Sequence, residues 1–422
     1  MSTPQAQDIK DQSKNIQDIL EKIGWYLTFA LIPSGQPYFG LFFLLISKLA
    51  SLFSRKKQEL IPTSASDLPR RAGLLFIFLL VYMFLNSFFS KQPINSLLLS
   101  LALTLVFYFY FFGGQRLAFA DRKFLTTCFL LFTCGGTLVS LATLIRYFVL
   151  NLSRAELFGG PNSLGTLIIM YTGVGIGFLL SRGKPYSYFV FPFLTASVCA
   201  LLATQSRGAW LGFIGMLFIL MVLNYKKKIA LVFLIILLIA ACLLVTNPKL
   251  NDRFLSIFSL EKGGNMTRIH IWQASLNMIK DKPVLGIGLG VFPAVYPDYA
   301  PPSAKKDQTF AFAHNIFLQM ATELGLIGFV LFFLAFALTY FLAYKLAKSG
   351  NSFYQGIFAT LVGVLIHQQV DLPIWKTNIG IGFWLLLGLS VGLYAMEANK
   401  AGNYQFQEFA LHLNKGNNGK SN

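Results

Sequence analysis

From about residue 24 to residue 396, long apolar runs alternate with short polar gaps. A helix needs about 20 apolar residues to cross the hydrocarbon core of a bilayer. By that length rule the pattern predicts about 12 transmembrane helices. Their expected spans are 24–35, 37–53, 72–90, 95–113, 124–150, 161–181, 186–204, 208–224, 229–246, 316–344, 353–372 and 378–396. The first is short, so 24–53 reads either as two spans or as one re-entrant hairpin. Both versions return the chain to the same side. The run from Ile229 is the least ambiguous. The fold class expected is an all-α integral membrane protein.

The pattern changes at three places. Residues 1–23 are polar and carry both charge signs, with Ile9, Ile16, Leu20 and Ile23 spaced for a short interfacial helix. They lack the basic start and apolar run of a signal peptide. The tail 397–422 is polar and expected to be disordered. Residues 247–315 form the one long extramembrane stretch. Within it a helix is expected near 266–281, with Ile269, Trp272, Leu276 and Ile279 as its apolar stripe and His270, Gln273, Asn277 and Lys280 opposite. Pro283 and the glycines Gly286, Gly288 and Gly290 should end it, and Pro293, Pro297, Pro301 and Pro302 should keep the next stretch irregular. The organisation is then a cytoplasmic segment 1–23, a transmembrane bundle 24–246, a periplasmic loop 247–315, further transmembrane helices 316–396 and a cytoplasmic tail 397–422.

Composition agrees with lipid as the solvent. Hydrophobic residues are 55% and charged residues 12%, where soluble domains carry about a quarter charged residues. The net charge of +18 would ordinarily point to nucleic acid. Here the basic residues fall in the short gaps, which is the pattern that orients membrane proteins. With the N-terminus in the cytoplasm, the inner loops hold Arg55, Lys56, Lys57, Arg70 and Arg71; Arg116, Arg122 and Lys123; Arg182 and Lys184; Lys226, Lys227 and Lys228; and Lys345 and Lys348. The outer loops hold isolated cations such as Lys91, Arg154 and Lys376. Both termini are therefore expected in the cytoplasm and the long loop outside. Cys128, Cys134, Cys199 and Cys242 all lie in apolar runs without CxxC spacing and read as small core residues.

This topology gathers polar groups from distant parts of the chain on the outer surface: Asn162 and Ser163 at a helix start, Arg207, Arg268, His314 with Asn315, and His367 with Asp371. Each has an ordinary reading. Arginines snorkel to head groups, Asn162 would cap its helix, and His367 could bridge two helices. Glu323 sits in an apolar run, where a charge is costly, and reads as structural. Gly-Ile-Gly-Leu-Gly (286–290) has GxGxG spacing outside any βαβ context and reads as a turn. Paired carboxylates and DxD motifs are absent, which disfavours metal-dependent chemistry, and no cofactor is implied. Taken together, two arginines and a histidine suit a lipid-linked diphosphate sugar. Guanidinium forks bind the diphosphate, and an imidazole takes the proton of an attacking hydroxyl.

Gln-Ser-Arg-Gly-Ala-Trp (205–210), Arg268-Ile-His-Ile-Trp (268–272), Asp-Lys-Pro-Val-Leu-Gly-Ile-Gly-Leu-Gly (281–290), Ala-His-Asn-Ile-Phe-Leu-Gln (313–319) and Glu-Leu-Gly-Leu-Ile-Gly (323–328) resemble the O-antigen ligase/polymerase family, best between about 160 and 372. The resemblance implies a type C-like membrane glycosyltransferase of the bacterial inner membrane. It would move a glycan from undecaprenyl diphosphate on the periplasmic face, without a metal and with inversion. By motif, Arg207 and Arg268 match the diphosphate-binding arginines and His314 the catalytic base, with Asn315, His367, Asp371 and Asn162 in support. Lipid A core is the acceptor expected of a ligase, and a second glycan unit that of a polymerase. A protein-targeted transferase is less favoured, because those members often have a sizeable additional C-terminal region. A transporter, such as the bicarbonate type, should instead carry midplane polar sites in repeated halves. A scaffold would leave the Arg/His set unexplained.

Overall fold

The computed structural model describes residues 4–53, 67–157, 159–223, 234, 238, 240–242, 245–259, 264–304 and 310–418. No strand occurs among them, and the protein is an all-α integral membrane protein. Among the described residues, seven helices are long and apolar enough to cross a bilayer, and three shorter apolar helices accompany them. The run 229–246 lies mostly outside the described residues, as do the inner-loop cations Arg55–Lys57 and Lys226–Lys228.

Helix α1 (Pro4–Leu31) folds back through Ile32–Ser34 onto α2 (Tyr38–Phe53), so 24–53 is a helical hairpin. The polar N-terminal segment is the first part of α1 rather than a separate short helix. Next come α3 (Asp67–Asn86), then α4 (Pro93–Val106) and α5 (Phe112–Leu117), joined by a π turn at Phe107–Phe111 into one span. They are followed by α6 (Arg122–Val149), α7 (Pro161–Arg182), α8 (Val190–Thr204) and α9 (Arg207–Leu223). The extramembrane loop contains α10 (Pro248–Leu255), α11 (Asn265–Asp281) and α12 (Phe292–Tyr299). The chain re-enters the bundle as α13 (Ile316–Ala347), α14 (Ser352–His367) and α15 (Thr377–Asn418).

Two expectations about order are corrected. Helix α12 forms where prolines were expected to keep the chain irregular, because Pro293 occupies the first turn, where no N–H is needed. Helix α15 runs on to Asn418 instead of ending at the tail. That segment contains no proline to stop it.

Helix α7 lies at the centre, with 94% of its spanning window buried. It meets α14, and α14 meets α9, through small residues. A Cβ on Gly177 would lie 2.7 Å from the Gly356 Cα, and one on Gly212 would lie 2.5 Å from the Gly363 carbonyl oxygen. Such contacts let helix backbones approach closely in lipid. They bring together the start of α7, the start of α9 and the end of α14. Of the cysteines, Cys128 is buried as expected, whereas Cys134 and Cys242 are exposed on the outside of the bundle.

The loop helices have a small core of their own, formed by Ile271, Ala274, Met278, Ile287, Val291, Phe292, Val295, Tyr296 and Ala313. This core rotates α11 away from the expected stripe. Its buried face is Ile271, Ala274, Ser275 and Met278, while Leu276 is 52% exposed. An interfacial helix would turn its stripe to lipid, whereas α11 packs this face against α12.

Candidate active site

Helix α13 is broken near its start. Gly325 adopts φ 64° and ψ −169°, a conformation open essentially to glycine alone. The break frees carbonyls that the Gly-Ile-Gly-Leu-Gly turn then uses. Ile287 N donates to Thr322 O at 3.0 Å, Gly288 N to Glu323 O at 3.0 Å, and Leu326 N to Pro283 O at 2.8 Å. Buried Glu323 accepts from Phe292 N at 3.4 Å, and Gln319 Oε1 accepts from Ala313 N at 2.6 Å. The glycine turn is therefore a plug in a split helix, and Glu323 has the structural role expected of it. The short segment 316–324 is pinned on both sides, and it carries His314 and Asn315 at its N-terminal end.

Asn315 caps that segment, accepting from Leu318 N at 3.0 Å. Its amide nitrogen donates to Gln369 O at 3.1 Å, and Ile316 N donates to Gln368 O at 3.0 Å. These bonds zip the start of α13 to the chain leaving α14. His314 is held at φ 53°, a left-handed conformation that non-glycine residues seldom adopt. Its Nδ1 lies 3.0 Å from Asp371 Oδ1.

Asp371 is the hub. Besides His314, Oδ1 accepts from Leu372 N at 2.8 Å. Oδ2 accepts from the Asn162 side-chain amide and lies 3.8 Å from an Arg268 nitrogen. Burial, the largest single influence, pushes this carboxyl up. The His314 hydrogen bond, the two histidines and Arg268 together outweigh it and hold Asp371 at about 2. A carboxylate only accepts hydrogen bonds, so the His314 Nδ1 is the donor of this pair and its Nε2 is turned away from Asp371.

Asn162 does not cap α7, as was expected. Gly160 precedes the helix, and Asn162 is one residue inside it. Its side chain instead joins three elements, because its Oδ1 also accepts from the Ser206 hydroxyl at 2.8 Å. His367 is fully buried, with Nδ1 2.9 Å from the Thr166 hydroxyl. It is thus a bridge between α14 and α7.

A cavity of about 450 Å³ opens beside this hub, walled by Asn162, Ser206, Arg207, Gly208, Leu211, Trp272, His367, Val370 and Asp371. Four arginines line it: Arg154, Arg207, Arg253 and Arg268. Arg207 also ties α9 to the loop, donating to Ser256 O at 2.5 Å, Ser256 Oγ at 3.1 Å and Asn265 Oδ1 at 2.8 Å. Arg268 Nε donates to Val370 O at 2.5 Å. Arg154 and Arg253 reach the carbonyls of Thr204 and Gln205, at 3.1 and 3.0 Å. Burial lowers the pKa of both from the ordinary arginine value, and the neighbouring guanidiniums add to the effect. Four guanidiniums against one engaged carboxylate leave the lining with an excess of positive charge, which suits an anion. Among the described residues, no group of three His, Cys, Asp or Glu gathers at metal-ligand distance.

Of the residues expected at the site, Arg207, Arg268, His367, Asp371 and Asn162 line this cavity. His314 adjoins it through Asp371. Asn315 faces a separate apolar groove with Trp272, Leu276, Phe317, Leu318, Ala321 and Phe329. Arg154 and Arg253 were not among the expected site residues. Both are arginines on the outer side, where the charge rule leaves cations sparse, and that was the available signal.

The chain is 28% identical over 237 residues to the ComP-specific O-oligosaccharyltransferase of Acinetobacter baylyi, covering 53% of this chain and 42% of that protein. It is 26% identical over 384 residues to a Rickettsia typhi protein named as a polysaccharide ligase, covering 83% of this chain and 89% of the relative. An uncharacterised Haemophilus influenzae protein is 22% identical over 341 residues, covering 72% of this chain and 79% of its own. Residues 192–333 match the model of the O-antigen ligase family.

Proposed function

We propose that the protein is a glycosyltransferase that moves a glycan from undecaprenyl diphosphate to an acceptor, lipid A core, on the periplasmic face of the bacterial inner membrane. The observation that carries this reading is Asp371, which lines an arginine-rich cavity and lies within hydrogen-bond distance of the His314 imidazole and 3.8 Å from the Arg268 guanidinium. The family domain and the ligase and oligosaccharyltransferase names of its relatives support it.

In this reading the diphosphate lies among the arginines, with Arg207 and Arg268 as its principal partners and Arg154 and Arg253 completing the field. The acceptor hydroxyl attacks the anomeric carbon, forming a new C–O bond as the bond to the diphosphate oxygen breaks. The hydroxyl proton passes to His314 Nε2, and the electron pair leaves with the diphosphate. Asp371 fixes the tautomer and stabilises the imidazolium, as an orienting carboxylate does beside other catalytic histidines. The guanidiniums stabilise the negative charge that grows on the leaving group, a task a metal ion performs elsewhere. Attack from the face opposite the diphosphate gives inversion.

The test is reconstitution of the purified protein with undecaprenyl-diphosphate glycan and two separate acceptors, lipid A core and a second glycan unit. Transfer to lipid A core is expected, and its loss in Arg268→Ala and His314→Ala variants that remain folded. Extension of the glycan unit alone would make the protein a polymerase. Transfer undiminished in both variants would remove the proposed site.

A further inference from the structure

A second cavity, of about 370 Å³, lies at the other end of the bundle. Helix α7 links the two sites, with Asn162 in its first turn lining the arginine cavity and Arg182 at its last residue lining the second. Its 22 residues span about 33 Å at 1.5 Å per residue, close to the thickness of a bilayer core. The deep walls are apolar, built by Phe129, Phe178, Phe353, Leu389 and Leu393. The rim is cationic, with Arg122, Arg182 and Lys400.

The charge on this rim is unbalanced. Lys400 pairs with Glu397 at 3.1 Å, and that carboxylate also accepts from the Tyr354 hydroxyl at 2.9 Å. Among the described residues, no carboxylate lies within ion-pair distance of Arg122 or Arg182. Arg182 rests on the Phe178 ring at 5.1 Å and donates to the Thr126 hydroxyl, which fixes its guanidinium at the cavity mouth. The oriented guanidinium of Arg182, with Arg122 also lining the cavity above an aromatic and aliphatic floor, suits a phosphate joined to a hydrocarbon chain. A soluble anion would leave the apolar floor without a partner.

We infer that this cavity binds an anionic glycerophospholipid, with the phosphodiester between Arg122 and Arg182 and an acyl chain along Phe129 and Phe353. The site is separate from the transfer chemistry and does not depend on it.

The test uses the full-length protein in nanodiscs of phosphatidylcholine containing phosphatidylglycerol, with co-purifying lipid measured by native mass spectrometry. Retained phosphatidylglycerol should fall about fivefold for Arg182→Gln and again for the added Arg122→Gln, the effect of about 1 kcal/mol per cation. Lys123→Gln removes an equal charge at the same end but outside the cavity, and should leave retention unchanged. An equal loss in Lys123→Gln would mean diffuse surface attraction and overturn the inference. So would unchanged retention in the double variant, or displacement of the lipid by inorganic phosphate alone. Thermal unfolding of each variant guards against a fold defect, and Phe353→Trp, expected to weaken retention without a charge change, supplies a second readout.

Discussion

Asp371 concentrates the site's electrostatics in one side chain. Asp371→Asn would keep its size but remove the charge that orients His314 and holds Arg268. Glycan transfer should fall about 10²–10⁴-fold at saturating donor, the usual range for a lost acid–base arrangement. The pH response follows from the same group. Its folded pKa of about 2 lies below the ordinary 3.8, so its stabilisation is present above the ordinary value and lost as pH falls toward 2. The difference in melting temperature between wild type and Asp371→Asn should therefore be full near neutral pH and shrink below about pH 4. A difference that stayed constant across that window would contradict the ionised hub. At this scale the sequence was informative where it set an unusual polar residue at a predictable membrane level, as with Arg207, Arg268, His314 and Asp371, which the fold brings to one end of the bundle. It was silent about partners. Nothing in the chain spacing foretold that Asn162 would turn from its helix to Asp371, or that Arg154 and Arg253 would face the same cavity.

The split in α13 is the element that places the histidine. Hydropathy made 316–344 a single run, and length alone gave the span correctly while hiding the break. The break comes from tertiary structure, because the turn 283–290 supplies the donors that the freed carbonyls need. A Cβ at Gly325 would lie 2.2 Å from the Val284 carbonyl oxygen. Gly325→Ala should therefore add strain of about 1–3 kcal/mol and also expel the turn, lowering both thermal stability and transfer. Gly350→Ala is the matched comparison. Gly350 has φ 81° with no atom within 4 Å of the added Cβ, so the variant carries strain without a clash. It should lower the melting temperature while leaving transfer intact. Equal loss of transfer in both variants would mean that the split helix has no special part in placing His314. The same tertiary influence explains α11, whose buried face was set by α12 rather than by lipid.

For the molecule as a whole, the two ends of the bundle differ in how they use positive charge. At one end Arg122, Lys123, Arg182, Lys184, Lys345 and Lys348 gather near short connections, as orientation signals do. At the other end the arginines converge on a single cavity beside His314 and Asp371. If the first set faces the cytoplasm, the cavity faces the periplasm, where a lipid-linked glycan would meet it. Single cysteines can test this in a background where Cys128, Cys134, Cys199 and Cys242 are replaced. Lys280→Cys, on the exposed side of α11, should react with a membrane-impermeant maleimide added to intact spheroplasts. Lys348→Cys, exposed at the opposite end, should react only after permeabilisation. The reverse pattern would put the cavity in the cytosol, away from a periplasmic acceptor, and the transferase reading in its present form would fall with it. Labelling of both sites from outside would mean that the membrane had been breached, so a cytosolic enzyme assayed in the same sample must remain unmodified for either result to count.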